Sequence, residues 1–237
     1  MLKIHGVPIS VHTRKVIVAA LHKGLAYELV PVVPVAPDSL PPNWRELSPT
    51  GKIPVLSDGD FHLADSAAIC DYLERLHPQA PLYPRTARDH ARALSLEQYA
   101  GALFADVVRP LFHETFVNPN IRKQPPDAAR VAAVLAETLP RMFGYLDGIA
   151  GSEFLVGQAL SIADISAVSN LLTYRYLGFE LDAMRYPRLA ALFERAVREP
   201  AMQEALRREQ PVVQSMGLRQ DVLAAALAQG SRDVQDR

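Results

Sequence analysis

The chain has 237 residues, 49% of them hydrophobic, so it can bury a large core as one or two domains. Its formal net charge of −1 gives no basic footprint for nucleic acid or an anionic membrane. The single cysteine, Cys70, excludes an internal disulfide and a cysteine-rich zinc site, and no apolar run approaches the roughly 20 residues that span a bilayer. These limits predict a soluble protein of a reducing compartment, the cytoplasm, with no metal.

The first third of the chain alternates between strand and helix patterns. Leu2 to Gly6 predicts a strand, Val11 to Lys23 a helix that stops at Gly24, and Tyr27 to Val32 a second strand. Residues 31 to 42 then carry five prolines, so we expect a semi-rigid surface connection without a regular helix.

The most informative stretch runs from Ser48 to His77 and begins with an apolar run that contains a proline. Because Pro54 has no N–H, we expect its strand at an edge of the sheet. A cis Ile53–Pro54 bond would leave the N–H and C=O of Ile53 free to pair with a bound peptide. Asp58-Gly59 then indicates a hairpin turn.

A capped amphipathic helix completes this stretch. Asp65 is the predicted N-cap, and Ser66 lies in the first turn. The unpaired N–H groups and partial positive charge of a helix N-terminus attract a carboxylate. Cys70 lies in the middle of the helix on a partly apolar face, which indicates a small buried thiol.

The sequence predicts two domains with a proline-rich boundary. Residues 1 to 78 form the first domain, residues 79 to 84 the linker, and residues 85 to 237 a helical domain with a polar, frayed tail. Helical patterns cover Arg85 to Phe116, Ala128 to Leu146, Ile162 to Leu177, Tyr186 to Arg198, and Pro200 to Glu209. We expect a bend at Pro110 in the first of these helices and a loop from Asn118 to Pro126 before the second. Ser161 and Asp164 predict a capping box at the start of the third.

Two motifs in order carry a family resemblance: Pro-Thr-Gly-Lys-Ile-Pro-Val-Leu, then Asp-Ser-Ala-Ala-Ile-Cys-Asp-Tyr-Leu. They resemble the pattern N-P-x-G-x-[VI]-P-x-L followed by [ED]-S-x-A-I-x-x-Y-L of cytosolic glutathione S-transferases. The resemblance covers most of the chain, to about Gln210. It implies an α/β thioredoxin-like N-terminal domain, of order βαβ-ββα, followed by an all-α helical-bundle C-terminal domain, and the strand and helix patterns agree with that order.

The resemblance also implies a catalytic residue. Theta-like and phi-like members place a catalytic serine four residues before an arginine, a spacing that Ser10 and Arg14 match. Ser10 is therefore the expected partner of the glutathione thiol, with Thr13 and His12 as alternatives; a serine there is also an ordinary helix cap. The first strand lacks the tyrosine or cysteine of other classes, and the Ser-Ser-x-Ser pattern of the zeta isomerases is absent.

For glutathione binding, the resemblance implies a set of residues around the two motifs. Ile53, beside Pro54, would pair by its backbone with the cysteinyl unit, Asp65 would face the γ-glutamyl ammonium, and Ser66 would face the γ-glutamyl carboxylate. Lys52 could reach a glutathione carboxylate. An apolar wall for the second substrate would comprise Ile9, Val11, Phe104, Val108, Phe112 and Phe116.

Two functions remain open. The first is a glutathione transferase that activates the thiol of glutathione, its co-substrate, for attack on a small hydrophobic electrophile. The second is a non-catalytic binding or assembly module of the same fold. We also expect a homodimer, because the family resemblance implies one and the helix from Arg85 carries alanines off its main apolar stripe.

Overall fold

The computed structural model describes residues 1–35 and 40–235, with side chains described up to residue 228. All its described strands lie between residues 2 and 64, and every later described element is helical. The proline-rich connection predicted over residues 31 to 42 includes residues 36–39, which are outside the described part. Its remaining described residues contain no helix.

Four strands form one mixed sheet in the order β2-β1-β3-β4. They are β1 (Leu2–Gly6), β2 (Tyr27–Pro31), β3 (Val55–Asp58) and β4 (Phe61–Ala64). β1 pairs in parallel with β2 and antiparallel with β3, which pairs antiparallel with β4. With helices α1 (Val11–His22) and α3 (Ser66–Leu76), this is the predicted βαβ-ββα order of a thioredoxin-like domain.

The prediction that Pro54 marks an edge strand is wrong. β3 is an interior strand whose ladder begins at Val55, opposite His5 of β1 and Ala64 of β4. Pro54 comes one residue earlier, so its missing N–H interrupts no ladder hydrogen bond. The Ile53–Pro54 peptide bond is cis.

The other helices are α2 (Trp44–Leu47), α4 (Ala87–Leu103), α5 (Arg109–Phe112), α6 (Ala128–Ala133), α7 (Leu139–Ile149), α8 (Ile162–Tyr176), α9 (Pro187–Ala196), α10 (Pro200–Ser215) and α11 (Asp221–Gln235). The sequence did not predict α11, and the expected frayed tail is helical as far as Gln235. No described helix is long and apolar enough to cross a membrane.

Three segments of the described chain are π-helical: Phe104–Val108, His113–Arg122 and Val134–Thr138. The first connects α4 to α5, the second extends α5 to Arg122, and the third connects α6 to α7. Each contains the residue four positions before a proline, namely Pro110, Pro119 or Pro140. A proline ring clashes with the carbonyl of that residue and offers no N–H, and the wider π turn accommodates both defects. The bend predicted at Pro110 stays a prediction, while the helix before it has π-helical geometry over Phe104–Val108.

The same effect corrects the predicted loop from Asn118 to Pro126. The helix continues through Pro119 and ends at Arg122, so the loop before α6 is only residues 123 to 127. A proline flanked by asparagines is typical of a turn, but here the π-helical geometry accommodates the proline within the helix.

Helix α8 lies at the centre of the helical region, and nearly all its residues are buried. It begins with the predicted capping box, in which Asp164 Oδ2 accepts hydrogen bonds from Ser161 N at 2.9 Å and Ser161 Oγ at 2.6 Å. Asp164 Oδ1 also accepts from Leu155 N at 2.7 Å. This buried carboxylate therefore fixes both the start of α8 and the loop before it.

Candidate active site

A cavity of about 120 Å³ lies where the starts of α1 and α3 meet α4 and α8. Its lining residues are Val11, His12 and Lys15 of α1, Asp65, Ser66 and Ala67 at the start of α3, Glu97, Gln98, Ala100 and Gly101 of α4, and Ser166 and Asn170 of α8. A buried ion pair between Lys15 Nζ and Glu97 Oε1, 2.7 Å apart, connects α1 to α4 at this cavity. Pockets that enclose whole ligands usually measure roughly 300 to 1,000 Å³, so this cavity can hold only one end of a tripeptide.

At the start of α3, Asp65 is the N-cap that the sequence predicts. Its Oδ1 accepts hydrogen bonds from Ala67 N at 2.9 Å and Ala68 N at 3.2 Å, and its φ is 80°. Residues other than glycine seldom adopt a positive φ, and when they do they often lie at functional sites. Asp65 is exposed, and its Oδ2 has no hydrogen bond to a described residue, so the carboxylate can face a cation.

Ser66 and His12 bring the two helix starts into contact. Ser66 is 6% exposed, and its Oγ lies 3.5 Å from His12 Nδ1. The His12 ring also packs edge-on against Phe104, with 4.6 Å between ring centroids. Burial, aided by the positive charge of Lys15, lowers the pKa of His12 to about 4. The imidazole is therefore neutral at pH 7.

At the start of α1, Ser10 is the N-cap. Its Oγ accepts from Thr13 N over 3.5 Å, which is at the outer limit of a hydrogen bond, and the first turn contains no acidic residue. The Ser10 hydroxyl is half-buried and is not among the residues that line the 120 Å³ cavity. Its O–H donor has no acceptor among the described residues.

The two residues after His12 point away from solvent. Thr13 is fully buried beside Gly6, where an added Cβ would lie only 2.5 Å from Thr13 Oγ1. Arg14 is also fully buried and donates from Nε to Glu209 Oε2 at 2.7 Å and from Nη2 to Ile9 O at 3.1 Å. Arg14 thus holds the backbone just before Ser10.

Arg14 connects this loop to two helices of the helical region. Its Nη1 donates to Ser169 O at 2.7 Å and to Thr173 Oγ1 at 3.2 Å, both on α8. On α10, the second carboxylate oxygen of Glu209 accepts from Tyr176 Oη at 2.5 Å. In the sequence, Arg14 is notable only for its spacing from Ser10, because nothing local indicates these distant partners.

The residues before β3 lie outside the 120 Å³ cavity. Lys52 is exposed, Ile53 half-buried and Pro54 buried. The carbonyl of Lys52 accepts from Ser48 Oγ at 2.6 Å, whereas the backbone of Ile53 has no hydrogen bond to a described residue. Among the described residues, the N–H donor and the C=O acceptor of Ile53 therefore have no partner.

The predicted apolar wall is only partly accessible. Phe104 reaches His12, and Phe112 stacks on Phe116 with ring centroids 5.3 Å apart, but Val108 is fully buried in the core. Cys70 is fully buried as predicted, and burial raises its pKa to about 12, so its thiol is unreactive. The described residues contain no group of three or more histidine, cysteine, aspartate or glutamate side chains that could hold a metal.

Comparison with known proteins agrees with this architecture. Residues 4–81 match the family model of the glutathione S-transferase N-terminal domain, and residues 111–209 match that of the C-terminal domain. A glutathione S-transferase of Triticum aestivum is 28% identical over 210 residues, which cover 88% of this chain and 94% of that protein. A zeta-class glutathione S-transferase of Euphorbia esula is 28% identical over 212 residues, covering 89% and 92%. The crystal structure of a glutathione S-transferase from Rhodospirillum rubrum F11 is 25% identical with a TM-score of 0.77, covering 87% and 92%.

Fold and site together define a class of proteins in which a thioredoxin-like domain precedes a helical domain and the two share a cleft. The chain belongs to the cytosolic glutathione S-transferase family, and its enzyme class is glutathione transferase. The serine-type subclass stays a prediction, because one similar relative carries the zeta name while this chain lacks the Ser-Ser-x-Ser pattern.

Proposed function

We propose that the protein ionises the thiol of glutathione and directs the thiolate at a small hydrophobic electrophile, with Ser10 as the catalytic hydrogen-bond donor. The observation that carries this proposal is the start of α1. There the Ser10 hydroxyl has only a 3.5 Å contact, and the first turn contains no acidic residue that would repel a thiolate. The thiol proton goes to solvent, a carbon–sulfur bond forms, and the leaving group departs from the electrophile.

The Ser10 hydroxyl and the N-terminus of α1 together supply enough free energy to ionise the thiol at neutral pH. A thiol with a pKa of roughly 8.5 needs roughly 2.7 kcal/mol of preference for its anion to titrate two pKa units lower. A hydroxyl donor to a charged acceptor gives roughly 1.5 to 3 kcal/mol, and a helix N-terminus adds roughly 0.3 to 1 kcal/mol. His12, with a pKa of about 4, is too weak a base to hold the thiol proton. Thr13 is fully buried.

We assign the binding of glutathione to the surrounding residues. The free N–H and C=O of Ile53 pair with the cysteinyl unit, and Pro54 beside it has no N–H to compete. Asp65 faces the γ-glutamyl ammonium through Oδ2, and Ser66 donates to the γ-glutamyl carboxylate. The exposed Lys52 reaches a carboxylate of glutathione.

We place the domain boundary in residues 79–84, between a glutathione-binding domain of residues 1–78 and a helical domain of residues 85–237. The protein acts in the cytoplasm, where glutathione is kept as a thiol.

We further propose a homodimer built on α4, where Leu94 is 38% exposed. Ala93 and Ala100 are already buried within the subunit, which leaves Ala91 and Ala102 exposed for the partner. Light scattering that gives the monomer mass of 26.1 kDa would exclude the dimer.

The test is glutathione turnover on a panel of small electrophiles, with Ser10→Ala compared with Thr86→Ala. Thr86 is the N-cap of α4, where its Oγ1 accepts from Asp89 N at 3.1 Å, so both variants lose one helix cap. Cap removal costs about 1 kcal/mol of stability in either variant. We expect turnover at neutral pH to fall at least tenfold in Ser10→Ala and to stay unchanged in Thr86→Ala. Equal turnover in both would leave Ser10 as a cap only, and a wild type without turnover would favour the non-catalytic binding module.

A further inference from the structure

A second and larger cavity lies away from the candidate active site, between the helix that contains Pro110 and the start of α6. It measures about 320 Å³ and is lined by Arg109, Pro110, His113, Glu114, Arg122 and Arg130. We call it the Arg109 cleft. None of its residues lines the active-site cavity, so its use does not depend on the proposed role of Ser10.

Glu114 is the one acidic residue that lines the Arg109 cleft, and its carboxylate already accepts hydrogen bonds from three groups of the protein. Glu114 is 4% exposed, and its carboxylate accepts from Arg130 Nη1 at 3.2 Å, from Asp127 N at 2.9 Å and from Asn118 Nδ2 at 2.7 Å. Arg130 is thereby neutralised within the protein.

Arg109 and Arg122 have no carboxylate partner among the described residues. Arg109 Nη2 reaches only the carbonyl oxygen of Ala105 at 3.5 Å, and Arg122 Nη1 reaches only Asn118 Oδ1 at 3.3 Å. Two guanidinium groups on one concave surface repel each other unless an anion lies between them, and each offers paired N–H donors that match an oxyanion.

The electrostatics of His113 support this picture. Its pKa is lowered first by burial and then by the positive charges of Arg122, Arg109 and Arg130, so all three arginines act on one imidazole. Since the ring is neutral at pH 7, it can donate or accept one hydrogen bond without adding charge.

The size of the cleft selects the ligand. A single water occupies about 30 Å³ and a lone phosphate only a few times more, whereas pockets for small organic molecules begin at roughly 300 Å³. The overall charge of −1 does not favour a polymeric anion. We propose that the Arg109 cleft binds a small molecule with two separate anionic groups, carboxylate or phosphate, one on Arg109 and one on Arg122.

Calorimetry of the full chain at low ionic strength tests this site, with pyrophosphate and succinate as two-anion probes and inorganic phosphate and acetate as one-anion probes. We expect at least one two-anion probe to bind at least tenfold more tightly than both one-anion probes, and the better probe identifies the anion. Arg109→Gln and Arg122→Gln should each weaken its binding at least tenfold. Both side chains are exposed, so these variants should fold, which circular dichroism checks.

Arg75→Gln is the matched control, because Arg75 is an exposed arginine that pairs with Asp71 four residues earlier. It should leave binding unchanged. The proposal is overturned if neither two-anion probe binds at millimolar concentration, if binding is the same in wild type and Arg109→Gln, or if a single-stranded oligonucleotide binds more tightly than either probe. Glutathione turnover of the two variants, measured in parallel, reports on the proposed function independently.

Discussion

The starts of α1 and α3 meet at one cavity but are capped in opposite ways. At α3, the carboxylate of Asp65 accepts from two backbone N–H groups at 2.9 and 3.2 Å. At α1, the neutral Ser10 hydroxyl accepts from one N–H over 3.5 Å. The carboxylate at α3 satisfies the positive end of that helix and presents a negative charge, whereas the weakly capped α1 keeps its positive end available.

This difference assigns the positions of two charged groups of glutathione, the thiolate and the γ-glutamyl ammonium. The thiolate is an anion and belongs at α1, while the γ-glutamyl ammonium is a cation and belongs beside Asp65. The γ-glutamyl carboxylate still finds a donor in Ser66, the first residue inside α3. Variants at α1 should therefore change thiol ionisation, and variants at α3 should change affinity.

Substitution of Arg14 should cause the largest loss of folding stability, because Arg14 anchors the start of α1 and not that of α3. Arg14→Met leaves the buried carboxylate of Glu209 without its cation and with only the hydrogen bond from Tyr176, and breaking a buried ion pair in this way costs roughly 3 to 5 kcal/mol of stability. Arg75→Met, at an exposed pair, should cost at most about 0.5 kcal/mol. Urea unfolding measures both, and the double variant Arg14→Met/Glu209→Met should recover much of the loss. A loss below about 1 kcal/mol in Arg14→Met would contradict the anchoring role.

The next largest effect is a pH dependence of folding stability caused by His12, which lies between the starts of α1 and α3. Its pKa of about 4 in the folded protein lies below the 6.5 of an unfolded histidine, so the unfolded chain binds more protons between these values. The contribution of His12 to the free energy of unfolding should be fully present above pH 6.5. It should decrease as the pH drops towards 4, by at most about 3 kcal/mol. His12→Gln should flatten this dependence, whereas His77→Gln, at the end of α3, should keep it. An unchanged acid dependence in His12→Gln would show that the imidazole is not buried as described.

A smaller effect is expected at α3, where the charge can be removed without the cap. Asp65→Asn keeps an oxygen for Ala67 N and tolerates the positive φ, but it loses the partner of the ammonium. Glutathione affinity should fall by roughly 1 to 3 kcal/mol, and the pKa of the bound thiol should not change. Asp127→Asn is the control, because Asp127 caps α6 through Arg130 N at 3.0 Å. Calorimetry that gives wild-type affinity in Asp65→Asn would remove Asp65 from the site.

Short-range features of this chain could be predicted from its sequence. The cap at Asp65 and the capping box of Ser161 and Asp164 depend on residues within one helical turn, so their spacing alone indicates them. The succession of strands and helices along the first domain followed from periodicity and the hairpin turn in the same way. The edge-strand prediction failed because the pattern around Pro54 could not show that the ladder begins one residue later.

Long-range features could not be predicted. Arg14 and Glu209 are separated by 195 residues, and no local pattern connects them. The pKa of His12 depends on burial against Phe104 of another helix, which the sequence does not show. Helix α11 was missed because its buried residues, Val222, Leu223 and Ala226, form a weak apolar stripe that gains its stability by packing on the rest of the helical region.

The ultraviolet absorption of the bound glutathione thiolate, measured as a function of pH, tests whether Ser10 stabilises the thiolate. In the wild type and in Thr86→Ala, we expect a midpoint roughly two pKa units below the roughly 8.5 of a free thiol. In Ser10→Ala the midpoint should rise by at least one unit, while Thr13→Ala and His12→Gln should stay near the wild type. A midpoint that moves in Thr13→Ala or His12→Gln but not in Ser10→Ala would show that Ser10 is not the partner of the thiolate.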